Sequence, residues 1–308
     1  MNAPVLQAPG TPRTSALRQQ MKAFYWLIWR EFWEHQRGLV WMPMFLGLLA
    51  AAGGIFLPRD PIWKSTSTDG FSIALTQAFA MAAELGSGGF LYPFLLIFLP
   101  VITVFSYCLD ALEADRRDRS ILFWKSLPSS DTAMVMSKAS VALVISPLLC
   151  CAIYCAAAFL IVTFATNDQN TTRYFISPLE LLFVLPIYVL WALPTVGWLL
   201  LVSAWARSTP FLWAVGIPIF VIWLAQWSNE VLHYSQNTQW LFSDVLGRTM
   251  FSGAFGAWFI TSLGGSPELG LVGDSWRALG LPSLWIGAIS GIAMIAIAIR
   301  LRRWRTAD

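Results

Sequence analysis

The chain has 308 residues, of which 57% are hydrophobic and only 12% are charged, with a formal net charge of +3. Soluble domains carry about 25% charged residues, so this composition excludes an ordinary water-soluble globule and also a disordered chain. The apolar residues come in long blocks without charge that would leave a globule no surface for water, and we therefore expect the chain to lie in a membrane.

The first predicted element is an amphipathic elbow helix over residues 16–37, which with the tail before it makes a cytoplasmic segment, 1–37. One face of this helix is apolar and the opposite face is polar. The apolar face carries Phe24, Tyr25, Ile28 and Phe32. A helix of this kind lies in the headgroup region with its aromatic side chains at the lipid boundary. We expect the chain to turn at Gly38 into the first span.

Six segments then run without Asp, Glu, Lys or Arg for long enough to cross about 30 Å of hydrocarbon as helices. They cover residues 38–57, 89–109, 139–167, 181–206, 208–229 and 278–299. Spans of this length are helical because each must satisfy its own backbone hydrogen bonds in lipid. The predicted fold class is therefore an all-α integral membrane protein, with a six-helix transmembrane domain over residues 38–308.

The distribution of basic residues sets the orientation. If the N-terminus is cytoplasmic, 15 of the 20 lysines and arginines fall on the inner side, so the positive-inside rule places both termini in the cytoplasm. A seventh charge-free run, 249–267, would move the arginines after Ile299 to the outer side if it crossed the membrane. We expect this glycine-rich run to be a re-entrant or interfacial segment of the last outer loop.

Chemically active side chains are scarce in the predicted spans. No ionisable residue lies within them, which weakens the case for a proton- or sodium-coupled carrier. Cysteines occur inside apolar blocks, as small hydrophobic side chains do, and indicate neither a metal site nor a catalytic cluster. None of the four lysines follows a glycine, so the P-loop that binds ATP is missing. We expect no enzyme activity, no metal and no cofactor in this chain, and a lipid rather than a nucleic-acid environment.

The cytoplasmic loop over residues 110–138 has the pattern of a protein-docking surface. Its charged run includes Glu113, Arg116 and Arg117, and a short apolar stretch with a proline turn follows. The stretch and the turn comprise Ile121, Leu122, Phe123, Trp124, Leu127 and Pro128. An apolar centre with a polar rim is the usual pattern of a protein interface. Asp131 can cap a helix leading to the third span, and a solvated charge run that only sets topology is the alternative.

The order of these elements resembles the permease subunit of type-2 ATP-binding-cassette (ABC) exporters. That family has an acidic residue, a basic pair, a short helix and a Leu-Pro turn before a lysine that precedes the third span. The matching residues are Glu113, Arg116, Arg117, Leu127, Pro128 and Lys138. The resemblance implies a coupling helix in this loop, and two permease copies or paralogues over two ATPase subunits that bind ATP and Mg. It further implies a multi-pass protein of the bacterial inner membrane.

Two other functional classes fit the same sequence. One is a membrane scaffold or assembly subunit that moves no substrate and whose long outer loop binds a partner. The other is an ion-coupled secondary carrier, which would transport without any ATPase. A gene for a P-loop ATPase beside this one would favour the ATP-driven exporter over both.

Overall fold

The structure is a computed structural model, and it describes residues 13–56, 91–117, 130–164, 177–206, 209–232, 247–254 and 270–305. Within these residues every regular element is helical, which confirms the predicted class. The α-helices in chain order are α1 (Arg13–Glu34), α2 (Met42–Phe56), α3 (Leu91–Arg117), α4 (Asp131–Ser140), α5 (Ser146–Phe164), α6 (Pro178–Trp205), α7 (Pro210–Leu232), α8 (Gly270–Arg277) and α9 (Pro282–Arg305).

Four helical stretches of the described chain are long and apolar enough to cross a membrane, so the protein is a multi-pass helical membrane protein. They are Asp131–Leu160, Pro178–Trp205, Pro210–Val231 and Pro282–Trp304, which match the third to sixth predicted spans. Helices α2 and α3 cover most of the first and second predicted spans. Six spans with both termini inside therefore stay a prediction.

Two predicted span boundaries differ from the structure. The third spanning helix begins at Asp131 and not at residue 139, because the Ser130 side chain caps it by accepting a hydrogen bond from the Ala133 N–H at 3.1 Å. The helix cap is thus Ser130, and Asp131 lies in the first turn. The last span begins at Pro282 and not at 278, because residues 278–280 form a separate 3₁₀ turn followed by an extended Leu281.

Two of the helices continue into the next through a turn of π-helix. The first, π1 (Arg37–Trp41), joins α1 to α2, and the second, π2 (Val141–Ile145), joins α4 to α5. Each ends two residues before a proline, Pro43 or Pro147, whose ring lacks an N–H and clashes with the carbonyl four residues earlier. Gly38 lies inside π1, where helical hydrogen bonding continues, and a change of direction there stays a prediction.

Helix α6 is the centre of the bundle and packs in parallel against α9. Close approach of these two helices depends on glycines, since a β-carbon on Gly197 would lie 2.5 Å from the Gly291 carbonyl oxygen. One turn away, a β-carbon on Gly287 would contact Pro194 at 3.2 Å. Small residues allow this backbone contact in a membrane bundle, where van der Waals packing holds the helices together.

One end of the bundle gathers the basic side chains, and we call it the basic end. There the Ser203 hydroxyl on α6 donates to the Leu109 carbonyl of α3 at 2.8 Å and accepts from the Leu112 N–H at 3.3 Å. The end of α9 lies beside the start of α4, where Arg303 donates to the Thr132 hydroxyl at 3.0 Å. Three parallel helices therefore end where α4 begins.

Helix α7 is attached mainly through its first turns. The Trp198 indole N–H of α6 donates to the Ala214 carbonyl at 3.1 Å, and the rings of Phe105 and Phe211 lie 6.0 Å apart. Beyond this region, side chains such as Phe220 and Trp223 are more than half exposed. In a membrane such a surface faces lipid tails or another helix.

Candidate functional site

A buried ion pair joins α1 to α4 at the basic end. Lys138 Nζ lies 2.9 Å from Glu31 Oε2, and the two side chains are only 1% and 3% exposed. Ile28 and Phe32 on α1 and Val135 on α4 place both charges beside the hydrophobic core. Removal of either partner breaks a buried ion pair, a change that costs up to about 3–5 kcal/mol, although Arg30 also lies 3.3 Å from the Glu31 carboxylate.

His35, one helical turn after Glu31, links α1 to α3. Its Nε2 lies 3.7 Å from Asp110 Oδ2, and its Nδ1 lies 3.8 Å from Glu31 Oε2. The ring also meets Tyr107 edge to face, with centroids 5.1 Å apart. The imidazole therefore stands between two carboxylates, which attract it when it is protonated.

The start of α4 is held from the other side by α9. Arg302, whose side chain is 7% exposed, has its Nε 3.8 Å from Asp131 Oδ1, and its Nη2 lies 3.6 Å from the sulfur of Met134. The neighbouring Arg303 donates to the Thr132 hydroxyl. Two arginines of the last helix thus contact the first turn of α4, although neither belongs to the predicted docking loop.

The charged contacts contribute differently to the stability of the fold. Arg30 pairs with Glu34 at 3.1 Å and with Glu31 at 3.3 Å, but Glu34 is 40% exposed. An exposed pair of this i, i+4 type contributes about 0.3–0.5 kcal/mol. The buried pair of Glu31 with Lys138 is therefore the contact that most strongly fixes α1 on the bundle.

These contacts lie on the last turns of α3 and on α4, the helices that precede and follow residues 118–129 in the chain, and residues 118–129 lie outside the described residues. The segment leaves α3 after Arg117 and enters α4 after Ser130. His35 contacts the α3 side, while Lys138 and Arg302 bind the α4 side to α1 and α9. A partner that acts on this segment would therefore act on four helices.

The predicted docking residues divide between described and undescribed parts of the chain. Glu113 is half-buried on α3, and Arg116 and Arg117 form part of the last turn of that helix. The remaining residues, Ile121, Leu122, Phe123, Trp124, Leu127 and Pro128, lie outside the described residues. Their grouping into one surface stays a prediction.

The predicted elbow residues do not all face the same way. Ile28 and Phe32 pack against the protein core, whereas Tyr25 is 60% exposed and Phe24 is half-buried. The exposed Tyr25 ring stacks on Trp29, with centroids 6.4 Å apart and an interplanar angle of 15°. One side of α1 therefore binds the bundle while another presents aromatic rings outward.

Sequence reasoning did not single out Glu31, His35, Asp110 or Arg302 as site residues. Lys138 lies directly before the predicted third span, in a helix that begins at Asp131 and continues through that span, and the sequence did not predict its burial. A usable signal was present: Glu31 lies three residues after Ile28 and one before Phe32, on the edge of the apolar face. A charge at such a position requires a partner, but the sequence does not say which residue that partner is.

A second polar cluster lies toward the opposite end of the bundle, where residues 247–254 pack on α6. The Thr195 hydroxyl donates to the Arg248 carbonyl at 2.7 Å and lies 2.5 Å from the Ser252 hydroxyl. The Tyr188 hydroxyl donates to the Gly253 carbonyl at 3.0 Å. This part of the predicted re-entrant or interfacial run is thus hydrogen-bonded into the bundle, and residues 255–269 lie outside the described residues.

The side chain of Arg248 reaches between α6 and α9. Its guanidinium carbon lies 4.9 Å from the centroid of the Trp191 ring, and its Nη1 donates to the Ser283 carbonyl. Gly287 leaves the space for this guanidinium, which a β-carbon there would meet at 2.6 Å. Ser283 and Arg302 are 19 residues apart on α9, or about 29 Å along the helix.

The four cysteines are free and pack inside the apolar helices, Cys108 and Cys150 buried and the other two half-buried. Among the residues that the structure describes, no three His, Cys, Asp or Glu side chains come together in a way that could hold a metal ion. No protein-family model, no curated protein and no solved structure matches the chain. The charged contacts at the basic end are therefore the main guide to function.

Proposed function

We propose that the protein is the permease subunit of an ATP-driven ABC exporter in the bacterial cytoplasmic membrane. One observation carries the proposal: the contacts of Glu31 with Lys138, His35 with Asp110 and Arg302 with Asp131 connect α1 and α9 to α3 and α4, the helices that precede and follow residues 118–129. This arrangement suits a membrane protein that receives mechanical energy from a partner, because one docked subunit would act on all four helices.

In the proposed complex the chain has six spans, and the basic end faces the cytoplasm. Separate ATPase subunits bind ATP and Mg and dock on the 110–138 loop, with Leu122 and Phe123 at the apolar centre of the contact and Arg116 and Arg117 at its rim. ATP-driven movement passes to α3 and α4, and the transport path forms between two permease copies or paralogues. Coupling requires the ATPase to bind the two permease conformations with different affinities.

An ion-coupled carrier is the second candidate, and the buried pair of Glu31 and Lys138 is the observation that favours it. Ionisable side chains inside membrane helices often mark proton pathways. Here, however, the charged groups are gathered at one end of the bundle, near Asp110 and Arg302. Transport by the purified chain in liposomes, driven by a proton gradient without any ATPase, would favour this candidate over the exporter.

The exporter proposal is tested by reversing two charges at the rim, Arg116→Glu with Arg117→Glu. The protein is purified in mild detergent from its native host, and bound subunits are identified by mass spectrometry. We expect an ABC ATPase to accompany the unmodified chain and to be lost from the double variant, because a like-charge contact replaces an attractive one. Leu122→Asp is expected to have the same effect by placing a charge in the apolar centre.

The matched control is Arg18→Glu with Lys22→Glu, which changes the net charge equally on an exposed part of α1. This control should retain the ATPase and should reach the membrane in the same amount as the docking variant. An ATPase that remains bound, with unchanged ATP turnover, in both the Arg116/Arg117 and the Leu122 variants would refute docking on this loop. A chain that purifies with no ATPase under any condition would refute the proposed function itself.

A further inference from the structure

Two composite helices run side by side and in register through the bundle. The first is α1, π1 and α2, and the second is α4, π2 and α5. At the basic end Glu31 meets Lys138, 107 residues later, and further along Gly47 lies against Ile153, 106 residues later. The nearly constant sequence separation shows that the two composite helices have the same direction.

Both π turns lie between these two points of contact. Residues 37–41 fall between Glu31 and Gly47, and residues 141–145 fall between Lys138 and Ile153. A π turn accommodates one extra residue in an α-helix and is often found where function requires a local change of helix geometry. The prolines that follow, Pro43 and Pro147, weaken the same places further by removing a backbone donor. Each composite helix therefore has its weakest point at nearly the same level.

The contacts on the two sides of this level are of different kinds. On the far side, Gly47 allows α2 to touch Ile153 of α5, and Ala51 and Ala157 belong to one small buried cluster. On the basic side, α1 and α4 are joined by the buried ion pair of Glu31 and Lys138, whose nitrogen–oxygen distance is 2.9 Å. Steric packing thus joins α2 to α5, and a charge pair joins α1 to α4.

Ion pairs from these two helices to α3 and α9 are longer. The nitrogen–oxygen distance is 3.7 Å from His35 to Asp110 on α3 and 3.8 Å from Arg302 on α9 to Asp131. The Asp110 side chain is also half exposed, so water can replace its partner at little cost. The 3.0 Å hydrogen bond from Arg303 on α9 to Thr132 is likewise exposed. Among these polar contacts, the buried ion pair that joins α1 to α4 is therefore the strongest.

We propose that α1 and α4 move as one rigid body about the two π turns, and that Glu31 and Lys138 are the positioning residues that make them one body. If a partner displaces segment 118–129, movement of this rigid body would shift both α2 and α5, which follow the two π turns. Its use for energy coupling rests on the proposed function, whereas the rigid body and its two hinges are properties of this chain alone. The buried pair suits this role because sliding would separate two charges outside water.

The experiment measures distances between spin labels in the full chain, reconstituted without any ATPase in liposomes of phosphatidylethanolamine and phosphatidylglycerol. The four native cysteines are replaced by alanine. One label pair, Trp29→Cys with Met136→Cys, reports on α1 against α4, and another, Met136→Cys with Phe159→Cys, crosses π2. All three positions are exposed, and the second pair spans about 35 Å of helix.

We expect a narrow distance distribution between positions 29 and 136 and a broader one between positions 136 and 159. Lys138→Met should abolish the narrow peak of the first pair, and the charge swap Glu31→Lys with Lys138→Glu should restore it. Deletion of Val144 should convert π2 into regular α-helix and narrow the distribution of the second pair. A role in packing alone would predict no effect of the swap or the deletion on these widths.

Three outcomes would overturn the inference: an unchanged first distribution in Lys138→Met, a swap that inserts normally without restoring the narrow peak, or equal widths for the two label pairs in the unmodified chain. If Lys138→Met does not reach the membrane, Glu31→Gln with Lys138→Gln replaces it, with the same expected loss. Because no ATPase is present, these outcomes are independent of the exporter proposal. A hinge that behaves as expected in a chain that never binds an ATPase would refute only the proposed function.

Discussion

Glu31 and Lys138 form a buried ion pair beside the hydrophobic core, and Arg30 and His35 also lie near the Glu31 carboxylate. Lys138 follows Met134 and Val135, which are both buried, and lies before the apolar body of the third span. A lysine at a span boundary ordinarily extends its ammonium group to the interface. Here it meets a carboxylate inside the protein, which allows the helix to continue through Lys138 toward the basic end.

We expect Lys138→Met and Glu31→Gln each to lower the free energy of unfolding, by up to about 3–5 kcal/mol, because each breaks the buried ion pair. The loss should be smaller for Lys138→Met, since Arg30 remains beside the Glu31 carboxylate. The double change should cost less than the sum of the two single changes, since it removes both charges together. Thermal unfolding in detergent, followed by tryptophan fluorescence, measures the difference.

The control for this prediction is Glu34→Gln, which removes only the exposed pair with Arg30. Its expected effect is below about 1 kcal/mol. Equal losses for Glu34→Gln and Lys138→Met would show that burial does not set the strength of these charged contacts. Strictly additive effects of the two buried changes would argue against a direct interaction between them.

At the scale of helices, the contact of α6 with α9 depends on two glycines that face each other. A β-carbon on Gly291 would lie 2.5 Å from the carbonyl group of Leu193 and 2.8 Å from the nitrogen of Pro194. Both are backbone atoms, which cannot turn aside. A β-carbon on Gly287 would instead meet mainly the end of the Arg248 side chain, which can adopt another rotamer.

Gly291→Val should therefore lower the unfolding midpoint much more than Gly287→Ala, because only the former forces two backbones apart. Overpacking of this kind costs about 1–3 kcal/mol or more. Gly216→Ala on α7 is the matched control: no atom lies within 4 Å of its β-carbon position, so the higher helix propensity of alanine should raise the midpoint slightly. Equal midpoints for Gly291→Val and Gly216→Ala would contradict the close contact.

The sequence predicted the fourth and fifth spans to within three residues at each end, because runs of apolar residues mark membrane helices directly. For the third span, the charge-free run begins at residue 139, whereas the helix begins at Asp131, where the sequence also indicated a helix leading to that span. Counting charged residues in a sequence does not distinguish a lysine in water from one that is paired inside the protein. Only the fold shows that Glu31, far away in sequence, neutralises this lysine.

The same limit applies to the whole site. The sequence indicated the 110–138 loop through its charges and apolar residues, and the structure adds contacts from α1 and α9. Neither His35 nor Arg302 stands out in a sequence that contains many interfacial charges. Their role becomes visible only when folding brings His35 to Asp110 and Arg302 to Asp131.

At the scale of the molecule, the exporter proposal requires the basic end to face the cytoplasm. A single cysteine at Ser129, introduced into a chain without its native cysteines, should resist a membrane-impermeant maleimide in intact cells and react after the cells are opened. A cysteine at Ser235, in the last predicted outer loop, should react in intact cells. This expectation follows from the positive-inside rule. Labelling of Ser129 from outside would reverse the topology and exclude cytoplasmic docking on this loop.

Arg248, which contacts α9 at Ser283, and Arg302 on α9 itself bear on the kind of bilayer that the protein can occupy. The first guanidinium is fixed at the Ser283 carbonyl and the second beside Asp131, so polar anchors stand at both ends of about 29 Å of apolar helix. Membranes whose hydrocarbon is thicker than this would have to thin locally around α9, at a cost of fractions of a kcal/mol for each ångström of mismatch. The apolar length of α9 thus matches a hydrocarbon thickness of about 30 Å rather than that of a thicker membrane rich in sterols.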